Sequence, residues 1–320
     1  MYIVSPAPHR HADTTVPQIM TDVCIALIPT TVWGIYRYGM RAVLIICISV
    51  LSCVISEYIY QKATHKDITI SDMSAGVSGL LLALTLPPYV PVPLIPVGAA
   101  FAMIVVKGVY GGIGKNFMNP ALAARCFLLI SFAGQMTRFA PDAVSSATPL
   151  ALMKHGETAA ASQYVPDILK AFWGFEGGCI GEESVPALLI GAAYLLVKNI
   201  IHIRIPASYV LSFSAIMGIY AAYSGENILY FVLMHLFVGG LILGAFFMAT
   251  DYVTSPMTAC GQIVFGMLCG VLNAVIRLFG GLPEGTSYAI ICANMLVPVI
   301  DRYIKRKPFG EEKNRWRGDG

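Results

Sequence analysis

Ten apolar runs dominate this chain, at about 22–38, 41–60, 72–87, 92–110, 119–134, 184–201, 206–223, 228–249, 257–279 and 285–304. Each approaches the ~20 apolar residues that carry a helix across a bilayer. Backbone in hydrocarbon must satisfy its own hydrogen bonds, and a helix does so within one segment. The predicted fold class is therefore an all-α polytopic membrane protein of about ten transmembrane helices. Composition agrees, since charged residues make up 12% of the 320 and mean hydropathy is +0.70, whereas soluble domains carry ~25% charge. A soluble globular chain is excluded.

The third run ends in Pro87-Pro88, and the eighth holds Gly239, Gly240 and Gly244 before running into Asp251. Short or Gly-interrupted runs at matching places in two halves point to broken helices around a central site. Halves 22–134 and 184–304 supply five runs each, as a five-plus-five inverted repeat with broken helices would, although residue identity between them is slight. Around them lie an N-terminal segment 1–21, a polar loop 135–183 and a basic tail 305–320. No signal peptide is expected, because residues 1–20 are polar and lead straight into a full-length apolar run. With the N-terminus cytoplasmic, fourteen Lys and Arg fall on the cytoplasmic side and six on the other, with Arg125 inside a run. That count assigns Lys107 to the cytoplasmic loops and Arg277 to the opposite ones. By the positive-inside rule, both termini are then cytoplasmic and loop 135–183 is not.

Eight cysteines occur, all but Cys179 in apolar runs and none in a CxxC pair. That pattern suits small buried hydrophobes better than a zinc or iron–sulfur site built by this chain alone. Ionisable residues at membrane depth are functional candidates by default: Glu57, Arg125, His235, Asp251 and Arg277. Long side chains near run ends snorkel, the reading adopted for Arg277 and Glu57. His235 reads as a packing residue. Asp251, followed by Thr254-Ser255-Pro256, offers an oxygen-rich sodium site. Trp33, Tyr36 and Tyr38 read as an interfacial belt. No phosphate-cradling Gly loop follows a strand, Gly111–Gly114 reads as a helix-joining turn, and the basic tail indicates a cytoplasmic anchor with no nucleic-acid partner.

Loop 135–183 is the only long polar segment, and long loops in compact proteins are functional or disordered. A short helix is expected near 158–172. Within the loop, Asp142-Ala143-Val144-Ser145-Ser146-Ala147-Thr148-Pro149 resembles the acceptor site at which a flavin transferase moves FMN from FAD onto a threonine hydroxyl. The bond is a phosphoester to Thr148. Ser145, Ser146 and Pro149 resist regular helix and keep the hydroxyl exposed, and a tether replaces dilute cofactor with a high effective concentration.

Further runs extend the resemblance. They are Gly111-Gly112-Ile113-Gly114-Lys115-Asn116-Phe117-Met118-Asn119-Pro120-Ala121, Thr250-Asp251-Tyr252-Val253-Thr254-Ser255-Pro256, Glu284-Gly285-Thr286-Ser287-Tyr288 and Leu296-Val297-Pro298-Val299-Ile300-Asp301. Together they closely resemble the D-subunit of the Rnf electron-transport complex, a relative of the B-subunit of the sodium-pumping NADH:quinone oxidoreductase, over nearly all of 1–305. Met118, Tyr252, Arg138-Phe139 and Ser146 depart from the usual family residues. The resemblance implies a prokaryotic inner-membrane subunit that passes electrons between flavins. Its complex couples ferredoxin oxidation and NAD reduction to movement of sodium or protons. It implies covalent FMN on Thr148, with Asp142, Ser145 and Ser146 forming the acceptor site. A second, non-covalent flavin (riboflavin in the relative) would lie between helices, with Asn116–Pro120 and Thr250–Pro256 as its walls and Asn116 and Asn119 its candidate ligands. Implied partners are the other Rnf subunits, one of them displaying a flavin outside the cytoplasm, a flavin transferase and the lipid bilayer. The rival readings are a cofactor-free secondary transporter or channel, for which broken spans and an inverted repeat would also serve, and a scaffold subunit with a vestigial acceptor site.

Overall fold

The computed structural model describes residues 15–137, 139, 150, 167–281 and 284–304, and all regular structure among them is helical. The first half runs α1 (Val16–Ala26), α2 (Ile28–Tyr38), α3 (Met40–Ala63), α4 (Ser74–Leu84), α5 (Leu94–Gly108), α6 (Pro120–Ser131) and a short α7 (Ala133–Met136). After the loop come α8 (Ile168–Trp173), α9 (Val185–Val197), α10 (Arg204–Ser224), α11 (Ile228–Phe237), α12 (Leu241–Met248), α13 (Ala259–Phe279) and α14 (Thr286–Tyr303). Among the described residues, four stretches are individually long and apolar enough to cross a membrane: Val16–Tyr38, α3, α10 and α13. A fifth is α11 with α12, bent by 62° at its break. The protein is a polytopic helical membrane protein.

Boundaries follow local chemistry more than hydropathy. α1 begins at Val16, ahead of residue 22, because Thr15 and Gln18 form a capping box there. The third run is helical only over Ser74–Leu84, since Pro87-Pro88 cannot continue a helix. Carbonyls exposed where α4 ends are taken by the segment after α8: Gly181 N–H donates to Leu84 O (2.8 Å) and Ile180 N–H to Leu86 O (3.2 Å). Thr30 Oγ1 donates in turn to Gly181 O at 2.8 Å. Residues 178–184 are therefore buried, although the sequence reads them as surface loop. The helix expected near 158–172 is α8 where the chain is described, and residues 158–166 lie outside the described residues.

Element order repeats between the halves. A long helix (α3, α10) precedes a broken one (α4–α5, α11–α12) whose last turns are π-helical, from Phe101 and from Gly244. A side-chain-capped helix follows, α6 capped by Asn119 and α13 by Thr258. π turns inside α-helices mark functional sites often. α10 packs closely on α13, where a Cβ added at Gly266 or Gly270 would clash with the Ser208 or Ser212 hydroxyl. Small residues that let backbones approach are the membrane solution to helix association. Outward faces stay apolar, as at Leu211, Ile219 and Val197.

Candidate functional site

Two buried polar regions lie at opposite ends of α12, whose eight residues span about 12 Å at helical rise. The first is an open pocket between the halves, about 780 Å³ with the solvent at its mouth included, beneath the ends of the two π segments. Asn116, Asn119 and Lys107 line it from the first half, and Thr250 and Asp251 from the second, with apolar walls that include Leu81, Leu195 and Phe247. Its lining has the character of small-ligand pockets, which are mostly apolar with a few placed polar groups.

Local rules explain why these groups face inward. Asn119 caps α6, its Oδ1 accepting from Ala121 N–H (3.0 Å) and Leu122 N–H (3.3 Å). Its Nδ2 donates to Met248 O at 3.4 Å, joining the first half to the end of α12. Asn116 Nδ2 donates to Met118 O (3.1 Å) and sets the turn before that cap. Gly111, Gly112 and Gly114 all have positive φ, which lets the chain fold back from α5. Asp251 follows α12 closely and accepts from Thr254 Oγ1 at 3.3 Å. Tyr252 donates its hydroxyl to Ile200 O, closing the turn against the end of α9.

Lys107 is inside a helix, not in a loop as the charge count assumed. It is 3% exposed, and its Nζ lies 2.6 Å from Glu57 Oε1 and 2.6 Å from Ser74 Oγ. Glu57 is 3% exposed and also accepts from Gln61 Nε2 (3.1 Å), so the snorkelling reading of Glu57 is corrected. A buried carboxylate needs a counter-charge, and the sequence places that partner 50 residues away. Beyond this pair lies a second cavity, of about 660 Å³, bounded by Glu57, Gln61, Lys66, Asp67 and Gly111. Lys107 and Ile113 line both.

The second polar region is packed shut. Arg277, at 2% exposure, donates to three carbonyls where α11 breaks: His235 O (2.6 Å), Val238 O (3.2 Å) and Gly239 O (2.7 Å). It cannot snorkel, and that reading also falls; a helix end inside a membrane protein leaves orphan carbonyls, and the guanidinium fork satisfies them. Thr286 and Phe213 complete its surroundings. Arg125, also buried, donates to Glu284 (2.5 Å) and Cys179 Sγ (3.4 Å) and lies 3.9 Å from Glu182. Cys179, Glu182 and Glu284 come close enough together to suggest metal ligation, but Arg125 reaches all three and serves as their cation. His235 packs on Phe231, ring centroids 4.4 Å apart, as expected of a packing histidine. Tyr38, half-buried at the end of α2, turns its hydroxyl inward to the buried Glu183 and to Gly178 O. Leu150, 1% exposed, packs at this end, its Cδ2 lying 3.0 Å from where a Cβ on Gly239 would stand. Thr148, Asp142, Ser145 and Ser146 lie outside the described residues.

Comparison with known proteins bears on what the two regions serve. The sequence pattern of the NQR2, RnfD, RnfE family matches residues 3–310. The chain belongs to that family. It is 45% identical over 316 residues to the D-subunit of the Na(+)-translocating ferredoxin:NAD(+) oxidoreductase complex of Acetobacterium woodii, covering 97% of this chain and 96% of that one. To the D-subunit of the Proton-translocating ferredoxin:NAD(+) oxidoreductase complex of Clostridium ljungdahlii it is 36% identical over 327 residues, covering 98% and 97%. To the D-subunit of the Ion-translocating oxidoreductase complex of Stutzerimonas stutzeri it is 37% identical over 332 residues, with 93% coverage of both. Two of these relatives carry different ions in their names, so membership in the family does not select the ion.

Against the family's expected walls, the structure brings Asn116, Asn119, Thr250 and Asp251 to one cavity. Two contributors escape the sequence reading. Asn294 of α14, its amide oriented to satisfy both neighbours, donates to Thr254 O (3.1 Å) and accepts from Asn119 N–H (3.3 Å), which ties the two walls together. Lys107 is the other. Each carried a usable signal, a strongly polar side chain within an apolar run.

Proposed function

We propose that this chain is the membrane subunit of an ion-translocating ferredoxin:NAD oxidoreductase complex. It relays electrons through FMN held by a phosphoester on Thr148 and through a second, non-covalent flavin in the cavity between the halves. Flavin supplies one- or two-electron chemistry, and the protein supplies placement and electrostatics. The observation that carries the reading is the arrangement along α12. Leu150, two residues beyond the acceptor threonine, is buried at one end, and the cavity opens at the other.

The cavity suits an isoalloxazine on chemical grounds. Apolar side chains face the hydrocarbon part of such a ring system, while Asn116 and Lys107 offer donors and Asp251 an acceptor for its polar edge. Asn119, tied up as a helix cap, fixes the wall. The oxygens of Asp251 and Thr254 form the polar corner suited to a hard cation such as sodium. At the other end, Arg277 and Arg125 hold the α11–α12 break and the 178–184 segment rigid, so Leu150 has a firm seat. In this reading loop 135–183 is non-cytoplasmic and meets a flavin-bearing partner subunit, both termini are cytoplasmic, and a flavin transferase matures Thr148.

In-gel flavin fluorescence after denaturing electrophoresis tests the covalent site, with expression in the native host or together with a flavin transferase. The wild-type band is expected to fluoresce and the Thr148→Val band to be dark. A dark wild-type band, with the transferase active on a control substrate, would overturn the flavin reading and favour a cofactor-free transporter.

A further inference from the structure

We propose that Lys107 is an electrostatic tuning residue. It sets how readily the ligand of the inter-half cavity accepts negative charge, and its ion pair with Glu57 links that property to the neighbouring cavity. The inference rests on the reading of that cavity as a flavin site.

Four observations carry it. Lys107 and Asp251 are the only formally charged side chains lining the 780 Å³ cavity among the described residues, so Lys107 is its one source of positive charge among them. An ammonium has three donors; two meet Glu57 Oε1 and Ser74 Oγ at 2.6 Å each among the described residues. Ser74 itself lines the cavity, which brings the ammonium to its wall. Glu57 is held lopsidedly: Oε1 accepts from both Lys107 and Gln61, while its buried Oε2 has no hydrogen-bond partner among the described residues.

The pair thus stands between two cavities with one member weighted to each. Glu57 borders the 660 Å³ cavity and Lys107 borders both. In surroundings this apolar, Coulomb interactions are screened far less than in water. Negative charge arriving in the first cavity draws on Lys107 and weakens its hold on Glu57. Conversely, the Glu57 carboxylate offsets Lys107 and holds the ligand's electron affinity down. Lys107 lies in the π-helical end of α5, where the altered turn changes the direction of the side chain relative to the rest of the helix. A purely structural ion pair would need neither the shared wall nor the unpartnered oxygen.

The experiment uses the full chain in detergent, carrying Thr148→Val so that retained flavin is non-covalent. Extracted flavin is quantified, and its one-electron reduction is followed by spectroelectrochemical titration. Lys107→Met is expected to disfavour reduction about tenfold, ~59 mV more negative. Glu57→Gln, which frees the ammonium from its carboxylate, is expected to shift it by a similar amount in the opposite direction. Lys107→Arg should restore most of the wild-type value. If Lys107→Met leaves Glu57 too poorly compensated to fold, the double variant Glu57→Gln with Lys107→Met removes both charges and should titrate more negative than Glu57→Gln alone. Flavin retained at wild-type occupancy, with every variant within twofold of wild type or all shifted in one direction, overturns the role of Lys107 and leaves the flavin cavity standing. Absence of retained flavin from the parent chain overturns the cavity reading and this inference with it.

Discussion

The two ends of α12 bury charge in opposite ways. At the Gly239 end, Arg277 spends its donors on carbonyls and Thr286, and Arg125 is enclosed by Glu284, Glu182 and Cys179. At the Asp251 end, Lys107 and Asp251 face a cavity of about 780 Å³. The contrast separates two uses of a costly residue type. Charge packed among carbonyls and carboxylates away from any cavity holds a broken helix in shape, whereas charge that also borders a cavity is available to a ligand. The functional default for intramembrane ionisable residues therefore applies unequally here, and side-chain partners decide where.

The largest effect that could break this contrast comes from the closed end. Arg125→Met leaves Glu284 and Glu182 without their cation, and removing one partner of a buried pair costs about 3–5 kcal/mol. Thermal unfolding in detergent should show that loss, with recovery when Glu182→Gln and Glu284→Gln are added. An Arg125→Met protein as stable as wild type would show that the cluster is not held by its charge. Next in size is Gly239→Ala. With φ at +80° and Arg277 Nη2 2.9 Å from the new Cβ, the backbone strain costs on the order of 1–3 kcal/mol, and the same change should loosen the seat of Leu150. Limited proteolysis of the 139–166 loop reads that second consequence.

At the open end, Asn119→Ala should cost about 1 kcal/mol through the lost cap on α6 and, under the proposed flavin reading of the cavity, should also lower the content of non-covalent flavin. Asn116→Ala should release flavin with little change in stability. Equal flavin content in both variants and wild type would remove these asparagines from the ligand's contacts. The smallest effect is expected at the surface. Lys198 and Asp22 lie 3.9 Å apart with partly exposed side chains, and Lys198→Met should change stability by less than about 1 kcal/mol, marking the floor against which the buried charges are judged.

Much of the fold is legible in the residues because lipid imposes a simple rule. Apolar runs of sufficient length must be helices, and Pro87-Pro88 and Gly239-Gly240 announce where two of them break. The cavity walls were legible for a local reason too: Asn119 before Pro120, and the Asp251–Pro256 turn, are helix-boundary chemistry wherever they occur. Residues 178–184 were not legible. Their Gly-rich, acidic character describes a surface loop in isolation, and only contact with the end of α4, with Thr30 and with Arg125 accounts for their burial.

Sequence alone determined the helical membrane class, the places where helices break and the family. Tertiary structure alone decided which charges are paired. Glu57 and Lys107 are 50 residues apart, and Arg125 and Glu284 are 159 apart. No local periodicity encodes such meetings, because the helices that carry them are placed by packing across the whole chain. Whether a buried charge is silent or exposed to a ligand depends on that placement.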